Sequence, residues 1–143
     1  MRNVNRLVLL TIVFNFFILI GAGHGIAFLG LIEFLGPNDF VQGNVKFSLT
    51  GKYDDRLFTA ATIAALGQII LLIGYFTKIQ HQKFMLIFAG LFTLLVSYLI
   101  LTIDFFNSTL DSFSFWAGTP FLVFAILLLI KTIKNYKQTL NTQ

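Results

Sequence analysis

The chain has 143 residues, 57% of them hydrophobic and only 11% charged, with a net charge of +4 and no cysteine. A soluble domain carries roughly 25% charged residues, so a water-soluble globule fits poorly. The missing thiols exclude disulfides, Fe–S clusters and thiolate zinc sites on this chain, and the small positive charge gives no sign of nucleic-acid binding.

Four apolar runs, at residues 7–35, 57–77, 84–106 and 113–130, contain almost no ionisable groups. A hydrocarbon core about 30 Å thick takes roughly 20 residues of helix at 1.5 Å each. Lipid offers no partner to a backbone N–H or C=O, so each run is expected to be a helix. A buried soluble bundle would show polar stripes at helical spacing, and these runs are apolar nearly all round. The expected fold is a single all-α integral membrane domain. It is an antiparallel four-transmembrane-helix bundle with helices at about 7–35, 57–77, 84–106 and 113–133.

Arg2 and Arg6 open the chain. The first run is too long for a signal peptide and reads as a retained helix of about 43 Å, which must tilt, kink or protrude. Gly21-Ala22-Gly23-His24-Gly25 is the place to bend, and Gly36-Pro37-Asn38-Asp39 ends the helix. His24 is open to several roles: a hydrogen bond to a polar group of a neighbouring helix, a proton relay, a quinone contact, or haem ligation paired with a second copy in a homodimer. Glu33 shares a helix face with Asn15, eighteen residues earlier. It is expected at the outer interface, in an ion pair with Arg56 or Lys52, or as a carboxylate that binds a proton or cation.

The longest loop, 36–56, contains the alternating Val45-Lys46-Phe47-Ser48-Leu49, which suits a short strand or an ordered loop lying on the bundle. Asp54 and Asp55 are placed to cap the second helix and meet the positive end of its dipole. Ala60, Ala64, Gly67 and Gly74 form a small-residue stripe on that helix. Ala89, Gly90, Thr93 and Ser97 form another on the third, and such faces let helices approach closely. Gln68, Thr93, Ser97, Thr102 and Asp104 add polar groups that either line a pocket with His24 and Glu33 or bond between helices. Trp116, Tyr98 and Tyr53 mark an interfacial belt.

The charges are sorted by segment. Arg2, Arg6, Lys78, Lys83, Lys131, Lys134 and Lys137 fall on one side with no acid. Lys46, Lys52 and Arg56 fall on the other with Asp39, Asp54, Asp55, Asp104, Asp111 and Glu33. Seven basic residues against three predict that both termini are cytoplasmic.

Arg6-Leu7, Gly21-x-Gly23-His24 and Leu71-Leu72-Ile73-Gly74-Tyr75-Phe76-Thr77-Lys78 resemble the DoxX-like group of small four-helix bacterial membrane proteins, as do the length and topology. The resemblance implies an inner-membrane protein, and some members are linked to quinone-coupled oxidation or redox complexes. The acidic residue that the group often carries early in the second helix is absent from residues 60–67. With no nucleophile–base pair to name, the leading expectation is a non-catalytic bundle that binds a hydrophobic ligand or a membrane-protein partner. A small proton-coupled transporter using His24, Glu33 and Asp104, and a haem- or quinone-associated redox subunit, are the other two. The lipid bilayer is the one partner that every version shares.

Overall fold

The computed structural model describes residues 2–22, 25–43 and 47–140. In chain order these form α1 (Arg2–Phe16), β1 (Leu19–Ala22), β2 (Gly25–Phe28), α2 (Leu29–Val41), α3 (Tyr53–Phe76), α4 (Gln80–Leu101) and α5 (Thr109–Leu140). Three helices, α3, α4 and α5, are long and apolar enough to cross a membrane.

The single long first helix expected over 7–35 does not form. The chain leaves the helix after Phe16, and β1 pairs antiparallel with β2, Leu19 opposite Phe28 and Ala22 opposite Gly25. The Leu29 N–H donates to the Ile18 carbonyl at 2.9 Å and closes the base of this hairpin. The local chemistry explains the break. Gly21, Gly23 and Gly25 fall within five residues, and each costs about 1 kcal/mol in a helix relative to alanine. Flanking them, Phe17, Ile18, Ile20, Ile26 and Phe28 are aromatic or β-branched residues that favour strands. Where a kink was expected, the chain therefore forms two paired antiparallel strands. Residues 23 and 24 lie outside the described residues.

The hairpin is anchored where its first strand ends. Gly21 lies so close to α5 that a Cβ there would meet the Leu110 side chain at 2.5 Å. The Gly21 backbone also hydrogen-bonds the Tyr53 hydroxyl at the start of α3, which in turn meets Ser114 Oγ of α5 at 2.6 Å. From there β2 leads the chain back alongside β1, by about 13 Å for four residues at ~3.3 Å each. Only then does α2 begin, beside the end of α1, with Gly30 against the Phe16 ring. It continues through Gly36, where its expected end lies, and reaches Val41, with Gly36 against Phe58 of α3.

The other boundaries move by a few residues. Helix α3 starts at Tyr53, so Asp54 and Asp55 sit in its first turn; they face its positive end but make no side-chain cap. Helix α4 stops at Leu101, where Thr102 Oγ1 bonds back to the Tyr98 carbonyl at 2.9 Å. Asp104 therefore lies in the turn that follows, not on a helix. Ser108 caps α5, its Oγ accepting the Asp111 N–H at 3.2 Å. At the opposite end, Lys83 lies in the first turn of α4 and donates to the Tyr75 carbonyl in the last turn of α3 at 3.3 Å. The described part of the long loop is ordered on the bundle. Ser48 N–H donates to Thr59 Oγ1 at 2.9 Å, and the Phe47 and Phe58 rings meet edge to face. Residues 44–46 lie outside the described residues.

The core is a close α3–α4 pair with α5 and α1 against it. Gly67 packs on Leu94, and Gly90 packs on Leu71, where an added Cβ would lie 2.9 Å from the Leu71 backbone nitrogen. Ser97 Oγ donates to the Ala60 carbonyl at 2.7 Å, which two helices reach only at close approach. Ala60, Ala64, Gly67, Gly74, Gly90 and Ser97 of the two expected stripes are buried, whereas Ala89 is exposed. Helix α1 buries Val4, Val8, Thr11 and Asn15, one face at helical spacing, and stacks Phe14 on Phe124 of α5 at 4.6 Å.

Gly90→Leu is expected to destabilise the fold by about 1–3 kcal/mol, because the neighbouring atom is backbone and cannot step aside. Ala89→Leu, one position along on the exposed face, should be close to neutral. Thermal denaturation of both variants in one detergent checks the difference.

Candidate functional site

Two polar clusters lie inside this apolar bundle, and they differ in kind. The first gathers on Arg56, which is fully buried. Its Nη2 lies 2.9 Å from Asp111 Oδ1 and 3.3 Å from Asp104 Oδ2. Its Nε donates to the Gly51 carbonyl at 2.9 Å, and Nη1 donates to the Ile100 carbonyl at 2.7 Å. Asp111 Oδ1 also accepts the Asp104 backbone N–H at 3.1 Å. One guanidinium thus ties the start of α3, the end of α4, the start of α5 and the long loop. The fork of donors that does this is specific to arginine. The Asp111 side chain is fully buried, while that of Asp104 is 53% exposed, so Asp111 is the partner that balances the buried charge.

The second cluster lies deeper. Gln68 is about 22 Å from the start of α3 and about 12 Å from its end by helical rise. Its Nε2 donates both hydrogens, one to Asn15 Oδ1 and one to Glu33 Oε1, each at 2.9 Å. A carboxylate and a side-chain amide oxygen can only accept, which fixes the orientation of the Gln68 amide. The buried Asn15 Nδ2 has no partner among the described residues. Helices α1, α2 and α3 therefore meet around one amide.

Beside this cluster runs a groove of about 350 Å³. Ile12, Phe16, Phe34, Ala65, Ile69 and Leu72 form its walls, and among the described residues Glu33 and Gln68 are its only polar lining. Phe34, Ile69 and Leu72 are themselves exposed, so the groove opens onto the apolar outer surface of the bundle. Phe16 and Phe34 meet edge to face at 6.1 Å. The volume and the few convergent polar groups suit a small-molecule site.

The expected ion pair of Glu33 with Arg56 or Lys52 is not formed. Arg56 is twelve residues from Gln68 along α3, about 18 Å, and is held by Asp104 and Asp111. Glu33 lies beside Gln68 instead of at the outer interface, because the hairpin carries the chain back before α2 starts. Glu33, Asn15 and Gln68 are brought together; Asp104 stands apart from them with Arg56. His24 lies outside the described residues. Among the described residues no cluster of three His, Asp or Glu side chains is placed to hold a metal ion. Phe16, Phe34 and Ala65 carry no sequence signal, since their meeting depends on the hairpin. Asp111 could have been found from Ser108-x-x-Asp111, a helix-start spacing that sets an acid in the first turn of α5. Compared with protein-family models, curated proteins and solved structures, the chain has no significant match.

Removing one partner of a buried ion pair costs about 3–5 kcal/mol, and an exposed pair contributes about 0–1 kcal/mol. Asp111→Ala is therefore expected to unfold the bundle or lower its melting temperature sharply, and Asp104→Ala to cost little. Circular dichroism melts in detergent separate the two.

Proposed function

We propose that this chain is a non-catalytic, multi-pass membrane protein that binds a hydrophobic ligand in the groove between α1, α2 and α3. The observation that carries it is the groove itself: apolar walls, an opening onto the apolar outer surface, and a carboxyl–amide pair in its lining. In a bilayer such an opening admits a ligand from among the acyl chains. A polar pair at that depth is costly unless it has work to do, and intramembrane carboxyls are commonly functional. The groove can equally receive part of a membrane partner, but a cavity with two convergent acceptors favours a small ligand.

The same proposal covers placement. The first run crosses once overall, as two short helices with the hairpin between them, so the protein has four crossings. The sorted charges put both termini in the cytoplasm and the Arg56 cluster outside. The resemblance to the DoxX-like group supports a bacterial inner membrane.

Native mass spectrometry from a mild detergent tests the ligand. The wild-type chain is expected to retain an apolar small molecule, and Ala65→Trp, which fills the groove, to lose it. A bare wild-type chain, or equal retention by both, would count against the groove. The absence of cysteine gives a clean test of placement. With Thr50→Cys and Lys134→Cys, a membrane-impermeant maleimide should label the first on intact cells and the second only after lysis. The reverse pattern would overturn the orientation.

A further inference from the structure

We infer that the groove takes an organic ammonium: an apolar chain or ring system carrying a cationic amine head, with no phosphate, seated against Glu33. This deepens the groove-binding reading and rests on it.

The inventory of hydrogen-bonding atoms leads to this class. Among the described residues, Gln68 and Glu33 are the only polar ones in the lining. Both hydrogens of Gln68 Nε2 are already given, to Asn15 and to Glu33. That leaves Gln68 Oε1 and Glu33 Oε2, neither of which has a hydrogen-bond partner among the described residues. Of the two polar lining residues, Gln68 has no hydrogen left to give, and an ionised Glu33 can only accept. A ligand whose head only accepts, such as a ketone or an ester, would leave its own oxygen and these two unpaired, at a cost of about 1–3 kcal/mol for each buried group. A ligand that donates satisfies both.

The charge narrows the class further. Both ion pairs among the described residues belong to Arg56, and neither involves Glu33. Ionised at this depth with only an amide beside it, Glu33 would be an unbalanced charge, and a cation brought to it would remove the imbalance. Two aromatic rings in the lining act in the same direction. Phe16 and Phe34 line the groove and stand at 73° to each other, so an ammonium beside Glu33 meets aromatic surface as well. Aromatic rings attract organic cations through their quadrupole.

Depth excludes the commonest amine in a membrane, the headgroup of an ethanolamine phospholipid. Gln68 lies about 12 Å from the nearer end of α3, below the headgroup layer, and the lipid's phosphate would arrive with its amine. The ligand is therefore a free amphiphilic amine.

The test uses the full chain in a nonionic detergent with three probes that share one alkyl chain: decylammonium, decanol and decanoate, each below its own micelle-forming concentration. Binding is read by calorimetric titration. Decylammonium is expected to bind about tenfold more tightly than decanol, the size of one charge-assisted hydrogen bond, and decanoate least of all. Glu33→Gln keeps an acceptor for Gln68 and should abolish the preference for ammonium while leaving decanol binding in place. Phe34→Leu keeps the apolar wall and should weaken decylammonium about threefold, as for an exposed cation–π contact, with little change for decanol. If Glu33→Gln fails to fold, the probe ranking and Phe34→Leu still decide. Equal binding of decylammonium and decanol, or decanoate binding best, overturns the ammonium inference and leaves the groove reading standing. If no probe binds, or if Ala65→Trp binds all three as the wild type does, the groove reading falls with it. Competition by an ethanolamine phospholipid would also overturn the assignment to a free amine.

Discussion

A backbone that leaves the helix in an apolar medium must find its hydrogen bonds within the protein. The rest of this structure follows from how residues 17–22 and 25–28 meet that demand. They pair with each other as β1 and β2, and the Leu29 N–H closes onto Ile18. The hairpin then needs a rest for its outer face, which Leu110, Tyr53 and Ser114 supply. It also resets the chain. After travelling out along β1 and back along β2, the chain enters α2 far deeper than a continuous helix would allow, and that displacement sets Glu33 beside Gln68. The groove exists because the first run is folded back on itself.

The two polar clusters show opposite treatments of charge in one apolar bundle. Around Arg56 the donors are used: Nε, Nη1 and Nη2 each have an acceptor, and the balancing acid is buried with them. Such a closed set holds the ends of three long helices in register, and nothing in it is left for a ligand. Around Glu33 the bonds are incomplete in one direction. Both Gln68 hydrogens are spent, Asn15 Nδ2 is left without a partner among the described residues, and the Glu33 and Gln68 side chains border a space. A structural cluster and a binding cluster are told apart here by what is left over and not by which residue types take part.

Much of this was legible in the residues. The three long helices were visible from length and composition, and the glycine and alanine stripes do mark the α3–α4 contact. Asn15 and Glu33 were paired for a reason that does not hold: eighteen residues apart on a straight helix they would share a face, but they meet on Gln68 through a helix that is broken between them. The break itself was concealed because bend and turn share the same signal, a cluster of glycines. Only the strand-forming residues on either side distinguish them, and in an apolar run those residues also read as membrane helix. Arg56 was matched to Glu33 because both seemed to lie at the same end. Its partners are instead the nearer acids, the buried Asp111 at the start of α5 and the half-exposed Asp104 in the turn where α4 stops.

The hairpin also bears on the order in which the chain is assembled. Helix α1 has 15 residues, about 22 Å of helix, against a hydrocarbon core of about 30 Å. It cannot span alone, and the strands that extend it have no stable seat until Tyr53 and then Leu110 and Ser114 have been synthesised. Those last residues belong to the final helix. The first apolar run thus finds its seat only against the last helix, so the hairpin cannot be fully packed before α5 is in place.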